Sequence, residues 1–367
     1  MRLLSLVALI SLSSVANDLN SCKGCHPIIY SEFDQSMHRN STVDRDKIHK
    51  VIWDRHPLKG KGDYSCAKCH SPKSGNSNGN HSGITCITCH TIKDIESHKK
   101  SNRNIYEDRD RVLYSAQSGM EDRKVKYEKI SSWFGLVTEV KGSPYHDIDY
   151  RRDIFYSGGV CMGCHSHKQN GHGLDVCRTD KRGAESRDEN CITCHMPKVK
   201  GSATNIRVSK RHAYHGFAGV INRPELLSRY IDMGYRIGDG GFTITLHNRA
   251  THNLMLHPLR LLELRTELKR GDERIKLNSY SFKRVIGDES GSPSMPWLAT
   301  KVLEDTTLKG DENRTIKFDI ELKSGDEVES TLGYYIVNPK VIDKLGLSSE
   351  KDLGRFIPLK HIDFILK

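Results

Sequence analysis

Apolar residues are scarce in this chain. Of its 367 residues only 36% are hydrophobic and 7% aromatic, and the mean hydropathy is -0.59. At roughly 150 residues per domain the length allows two or three domains, but not ordinary apolar cores throughout. After the N-terminal residues no stretch approaches the ~18 uninterrupted apolar residues that a membrane-spanning helix requires, which excludes a multipass membrane protein. Methionine is sparse as well, at eight residues. What the chain has in abundance is eleven cysteines and nineteen histidines. Spread over this length, the cysteines do not describe a small disulfide scaffold.

Residues 1–16 read as a secretory signal. Arg2 supplies the positive start, Leu3 to Leu12 the apolar region and Ser14-Val15-Ala16 a small-residue cleavage site. Leu19-Asn20-Ser21-Cys22 loosely imitates a lipoprotein acylation site, but Cys22 has a better-defined use. The expectation is export to a bacterial periplasm or onward to the cell surface, with no integral membrane segment once the signal is removed.

Ten cysteines fall into five copies of one pattern: Cys22-Lys23-Gly24-Cys25-His26, Cys66-Ala67-Lys68-Cys69-His70, Cys86-Ile87-Thr88-Cys89-His90, Cys161-Met162-Gly163-Cys164-His165 and Cys191-Ile192-Thr193-Cys194-His195. This is the attachment sequence of c-type haem. Two thiols three residues apart lie on one side of a helical turn and reach the two vinyl groups of one porphyrin, and the next residue sets an imidazole under the iron. Structural zinc would use two such pairs per metal and needs no histidine after each, and five motifs leave one over. A thioredoxin-like redox pair would occur once. The sequence therefore predicts five covalent haems, with His26, His70, His90, His165 and His195 as proximal ligands. Cys177 stands apart, and its reading stays open between a buried thiol, an intermolecular disulfide and an iron ligand.

The net charge of +11 could suggest nucleic acid, but its distribution does not. Residues 17–216 carry a net +9 and residues 217–367 only +1. The excess lies with the motifs, where about ten haem propionates would nearly cancel it, so no nucleic-acid partner is expected. Two hundred residues are too few to wrap five haems separately. Haems in mutual contact would replace the missing apolar side chains and form a path for electrons.

A haem iron takes a second His, a Met or an open position on its other face. Fourteen histidines remain after the five proximal ones, which favours His at most irons. Context selects His38 after the first motif, His49 and His56 around Val51-Ile52-Trp53, His98 after the third motif, His146 in Ser143-Pro144-Tyr145-His146, and His212 or His215 after the fifth; of the last two, His215 is chosen. His167 and His172 sit in a Gly-rich stretch and read as loop residues.

The opening Cys22-x-x-Cys25-His26-Pro27 with Tyr30 and Ser36-Met37-His38, Gly83-Ile84-Thr85 before Cys86, and Cys191-x-x-Cys194-His195-Met196-Pro197 followed by His212 and His215 resemble the multihaem c-type cytochrome superfamily that includes the tetrahaem electron acceptor of hydroxylamine oxidation. The resemblance covers residues 17–220 in outline and implies distal roles for His38, His146 and one of His212 and His215. The chain departs from it in having five motifs and a long second part.

Beyond about residue 220 cysteine is absent and the pattern becomes alternation. Phe242, Ile244 and Leu246 alternate with polar residues, as do Ile316, Phe318 and Ile320, while Leu262, Leu264 and Leu268 share a face. Turns at Gly271-Asp272, Gly287-Asp288, Gly310-Asp311 and Gly325-Asp326 separate the runs, predicting an antiparallel sandwich, with a short helix over 339–345 and a closing strand over 356–366. The expected organisation is a signal peptide (1–16), a mainly α/irregular pentahaem domain (17–220) and a β-rich sandwich-like domain (221–367), an α+β chain. Thr251-His252-Asn253 resembles a His-bearing turn that follows the haem region in related chains, which implies His252 as a further ligand.

These readings point to an electron carrier between redox proteins, with oligomers open. An oxidoreductase acting on a small nitrogen or sulfur compound would need an open iron and a proton donor. The proximal-Lys variant C-x-x-C-Lys is absent from the sequence. A subunit of an extracellular cytochrome filament is the third reading.

Overall fold

The structure is a computed structural model that describes residues 19–72, 83–96, 105–107, 112–135, 137–166, 169–176, 178–179 and 181–367. His98 and Cys177 lie outside the described residues.

The first region, to about residue 220, is made of short pieces. No described helix in it exceeds eight residues. Each motif closes one helical turn: the His26 amide donates to the Cys22 carbonyl (2.9 Å) and that of His70 to Cys66 (3.0 Å). The third and fifth motifs share the sequence Cys-Ile-Thr-Cys-His and the same start. Thr85 and Asn190 cap the helices Cys86–His90 and Cys191–His195, and Thr88 and Thr193 return the bond to the cap amides. The region also holds small sheets, such as the hairpin Glu128–Ser131 with Val137–Lys141 and the pair Lys198–Lys200 with Arg211–Ala213. It is therefore less helical than the sequence predicts. Its buried apolar clusters are small, such as Trp53, Tyr64 and Ala67 or Val112, Tyr114 and Phe155.

The second region is built on two antiparallel sheets that share one large core, with Tyr280–Phe282 added beside Leu261–Arg270 in the larger sheet and a separate small sheet of Arg284–Gly287 with Lys301–Asp305. One sheet orders Ile231–Gly238, Gly241–Asn248 and Glu312–Asp319; the other orders Glu273–Lys276, Leu261–Arg270, Glu327–Tyr335 and Ile357–Ile365. Alternation buries Phe242, Ile244 and Leu246 from the first sheet and Leu262, Leu264, Leu268, Val328 and Leu332 from the second in one cluster. The helix Pro339–Ile342 and the final strand fall where the sequence predicts them.

The regions dock through the helix Lys47–Asp54. Asp46 caps it by accepting the Ile48 and His49 amides. One face, Ile48, Val51 and Ile52, packs on the sandwich core. The other, His49 and Trp53 at i and i+4, is buried against Tyr64. Further ties are Lys47 to Glu350 (2.7 Å), Arg55 Nη2 to the Leu345 carbonyl (3.1 Å), Tyr334 Oη to the Val220 carbonyl (2.5 Å) and Arg284 Nη1 to the Val176 carbonyl (2.6 Å).

Candidate haem-binding site

All ten motif cysteines are free thiols. Chain folding brings motifs together: Cys86 is hydrogen-bonded to Cys22, Cys161 to Cys191 and Cys164 to Cys69. These bonds and burial hold the Cys161 and Cys164 thiols protonated, and burial pushes Cys89 up to about 11. Two glycines permit the approach. Gly158, at φ +81°, lets the fourth motif lie against Cys191, where a Cβ would sit 3.1 Å from the Cys191 amide nitrogen. Gly83, at φ +73°, brings the third motif against His38; a Cβ there would be 2.5 Å from the Arg39 carbonyl oxygen.

Four of the motif histidines are held in one tautomer. Nδ1 of His26 donates to the Ala203 carbonyl (2.7 Å), that of His70 to Ser41 (3.0 Å), that of His90 to Tyr114 (2.6 Å) and that of His195 to Ala218 (2.6 Å). A ring whose Nδ1–H is so engaged presents the bare Nε2 lone pair to a metal.

Four of the five motif rings face a second imidazole. His26 and His146 have ring centres 6.5 Å apart at 27°, His165 and His38 6.2 Å at 70°, His90 and His215 6.4 Å at 18°, and His195 and His252 6.1 Å at 18°. With a metal–nitrogen bond of about 2.0–2.1 Å on each side, and about 1.1 Å from each ring nitrogen to its ring centre, two imidazoles sharing one metal ion place their centres roughly 6.3 Å apart. Direct ring contact would be closer: His49 and His70 are at 4.3 Å, too near for a metal between them. Nδ1 of His215 donates to the Ala213 carbonyl (2.7 Å), that of His252 to Asn253 (3.0 Å) and that of His146 to Asp147 (3.3 Å). Nδ1 of His38 is buried without a hydrogen-bond partner among the described residues. Burial and His165 push His38 down to about 3, and burial and His90 push His215 to about 3. His90, His146 and His195 are also lowered, chiefly by burial. Neutral imidazoles are the state that binds metal.

His38, His146, His215 and His252 thus lie opposite motif histidines. His56 is placed differently: it packs against Trp53 (5.4 Å) and Trp297 (4.8 Å), and its Nδ1 accepts the Leu58 amide. His212 sits apart from its neighbour His215, donating from Nδ1 to the Gly201 carbonyl (3.0 Å) with Nε2 2.9 Å from Glu32 Oε1. Glu32 Oε2 also accepts the His215 amide (2.9 Å), a positioning contact that sequence reading missed. Glu32 is 180 residues from His212, and no sequence pattern joins them.

Comparison with known proteins bears on the same residues. The family model for cytochrome c554 and c-prime matches residues 21–91, which hold the first three motifs. A penta-heme cytochrome c552 from Thermochromatium tepidum is 20% identical, with 96% of this chain and 99% of that chain covered at a TM-score of 0.72. The fold is that of a multihaem c-type cytochrome. An E. coli curli protein, CsgC, matches 28% of this chain and 82% of its own at 8% identity and a TM-score of 0.17, too distant to carry an argument. No curated protein matches the chain.

The residues fit the group that this cytochrome fold implies, covalently bound haem c. Free thiol pairs, each followed by a histidine on one helical turn, and facing imidazoles at metal-sharing distance are the donor set for haem. Zinc does not fit: among the described residues no three His, Cys, Asp or Glu converge on a metal site.

Proposed function

We propose that this chain is an exported electron carrier holding five haems, four of them with two histidine ligands. The ten motif cysteines form the thioethers. His26 with His146, His165 with His38, His90 with His215, and His195 with His252 would hold four irons, and His70 would hold the fifth. The bound haems supply reversible one-electron chemistry without bond-making at substrate. The chain's own residues keep the imidazoles neutral and oriented and exclude water from the facing rings. The sulfur contacts Cys22–Cys86, Cys69–Cys164 and Cys161–Cys191 set motif one beside three and motif four beside two and five, and Cys89, close enough to act on Cys161 and Cys164, joins motif three to four, which supports a continuous arrangement.

The observation that carries this reading is the four imidazole pairs at 6.1–6.5 Å. An iron held by two histidines would have no open position for substrate, which suits outer-sphere transfer. Export rests on the signal-like residues 1–16, and among the described residues no helix is long and apolar enough to cross a membrane. Mass measurement of the mature protein and carbon monoxide titration of its reduced form test the proposal together. The expected result is five covalent haems and no carbon monoxide binding at the four paired irons. Binding at two or more irons would replace the carrier with a multihaem reductase.

A further inference from the structure

The hairpin before His146 ends in an unusual turn. The Gly135 amide donates to the Ser132 carbonyl (2.9 Å), which puts Trp133 and Phe134 at the two corner positions. Corner positions normally carry Asn, Asp, Gly, Ser or Pro, which tolerate water and bend readily. Here Trp133 is 98% exposed and Phe134 87%. Beside the hairpin, the loop between the strands Lys198–Lys200 and Arg211–Ala213 exposes Ile206 (63%) and Val208 (82%). Arg207 Nη2 joins the two elements by donating to the Val140 carbonyl (3.3 Å).

The charge around this tip has one dominant sign. Residues 123–141 carry five Lys or Arg against Glu128 and Glu139, and residues 198–211 carry five with no acidic residue. These basic residues are exposed. Large exposed side chains ringed by charge mark an interaction site rather than a solvated surface.

We propose that the Trp133–Phe134 tip and its cationic collar dock this protein on an anionic phospholipid bilayer. Two aromatic side chains expose on the order of 300–500 Å², short of the roughly 800 Å² per partner of a stable protein interface. That area is enough to enter a bilayer interface when lysines and arginines at the same level meet anionic headgroups. The surface also has a defined relation to the first motif. The basic loop clasps that motif, with the Asn205 amide on the Cys25 carbonyl (3.0 Å), Asn205 Nδ2 on the Gly24 carbonyl (2.8 Å) and His26 Nδ1 on Ala203 (2.7 Å). The aromatic hairpin leads into His146, which faces His26. Both walls of the first haem position therefore run toward the docking surface, and the lipid-bound protein presents that position to membrane redox proteins. This inference goes beyond the carrier reading, and lipid binding is measured without any electron transfer.

The test is flotation of the intact haem-loaded protein with vesicles of phosphatidylcholine alone or with about 30 mol% phosphatidylglycerol. The expected result is binding to the anionic vesicles at least about tenfold tighter than to the neutral ones, weakened by salt. The variant Trp133→Ser/Phe134→Ser should lose about tenfold or more on anionic vesicles, and Lys200→Ser/Lys210→Ser should lose less. Haem absorbance and thermal midpoint should be unchanged in both, since all four side chains are exposed. Absence of vesicle binding, or equal binding by the aromatic variant, would overturn the proposal. So would sedimentation showing that the aromatic variant abolishes self-association instead, because the tip would then meet a second copy.

Discussion

The two regions of this protein solve the same problem by different means. Residues 221–367 bury nineteen residues in one apolar cluster between two sheets, the ordinary solution in which area removed from water holds the fold. The first region has more residues and buries only two or three apolar side chains in each of its own clusters. Its described helices span eight residues at most, too short to stand alone. What it has instead is the motif cysteines and four facing imidazole pairs. In the proposed reading the haems would supply the missing core, so that fold and function would depend on the same group. The sandwich has an apolar core of its own, yet its residue His252 faces His195 of the first region at 6.1 Å.

The largest effect expected from this contrast comes from withholding haem. Produced in a host that cannot attach it, the full chain should lose all protease protection over residues 19–220 and keep it over residues 221–367, as read by limited proteolysis and peptide mass. Equal protection of both would break the comparison. Next is the sandwich core. Leu264 is fully buried, so Leu264→Ala should cost about 2–5 kcal/mol in denaturant unfolding of the second region while haem stoichiometry stays constant. A smaller but more specific effect is expected at the joint. His252→Ala should turn one iron high-spin by electron paramagnetic resonance and split a shared unfolding transition into two; an unchanged spectrum would remove His252 from the ligand set.

The smallest effect concerns an ion pair of the sandwich in which the carboxylate is buried and the guanidinium partly exposed. Arg270 grips Asp326 with two bonds (2.9 and 2.7 Å) and holds its carboxyl at about 2, below the usual carboxylate range. Its folded pKa is depressed, so the stabilisation is complete above about pH 5 and disappears as pH falls through about 4 toward 2. Asp326→Asn should cost about 1–3 kcal/mol at neutral pH and flatten the acid limb of the stability profile, measured by unfolding at several pH values.

The two regions also differ in how far sequence alone describes them. The sandwich strands were legible because alternation is local: Phe242, Ile244 and Leu246 announce their face within five residues, and the Gly-Asp pairs mark real strand ends. The haem motifs were legible because the attachment chemistry needs fixed spacing. The small sheets of the first region, such as Glu128–Ser131 with Val137–Lys141, carry no alternation, since neither face is buried in an apolar layer. The pairing of histidines is non-local. His146 meets a ring far back at His26, and His38 meets His165 across two intervening motifs. His56 shows the limit from the other side. It lies ten residues before the second motif, and it packs against two tryptophans, one of them Trp297 of the sandwich. Spacing along the chain says which residues are chemically able to bind iron. Which rings meet is decided by the tertiary fold.

The central claim is that facing imidazole pairs clamp the irons, and near-infrared magnetic circular dichroism of the oxidised protein tests it most directly, because the charge-transfer band separates bis-histidine from histidine–methionine and high-spin haem. The account predicts that at least four of the five irons give the low-spin bis-histidine band. A spectrum in which two or more irons are high-spin or methionine-ligated would contradict it.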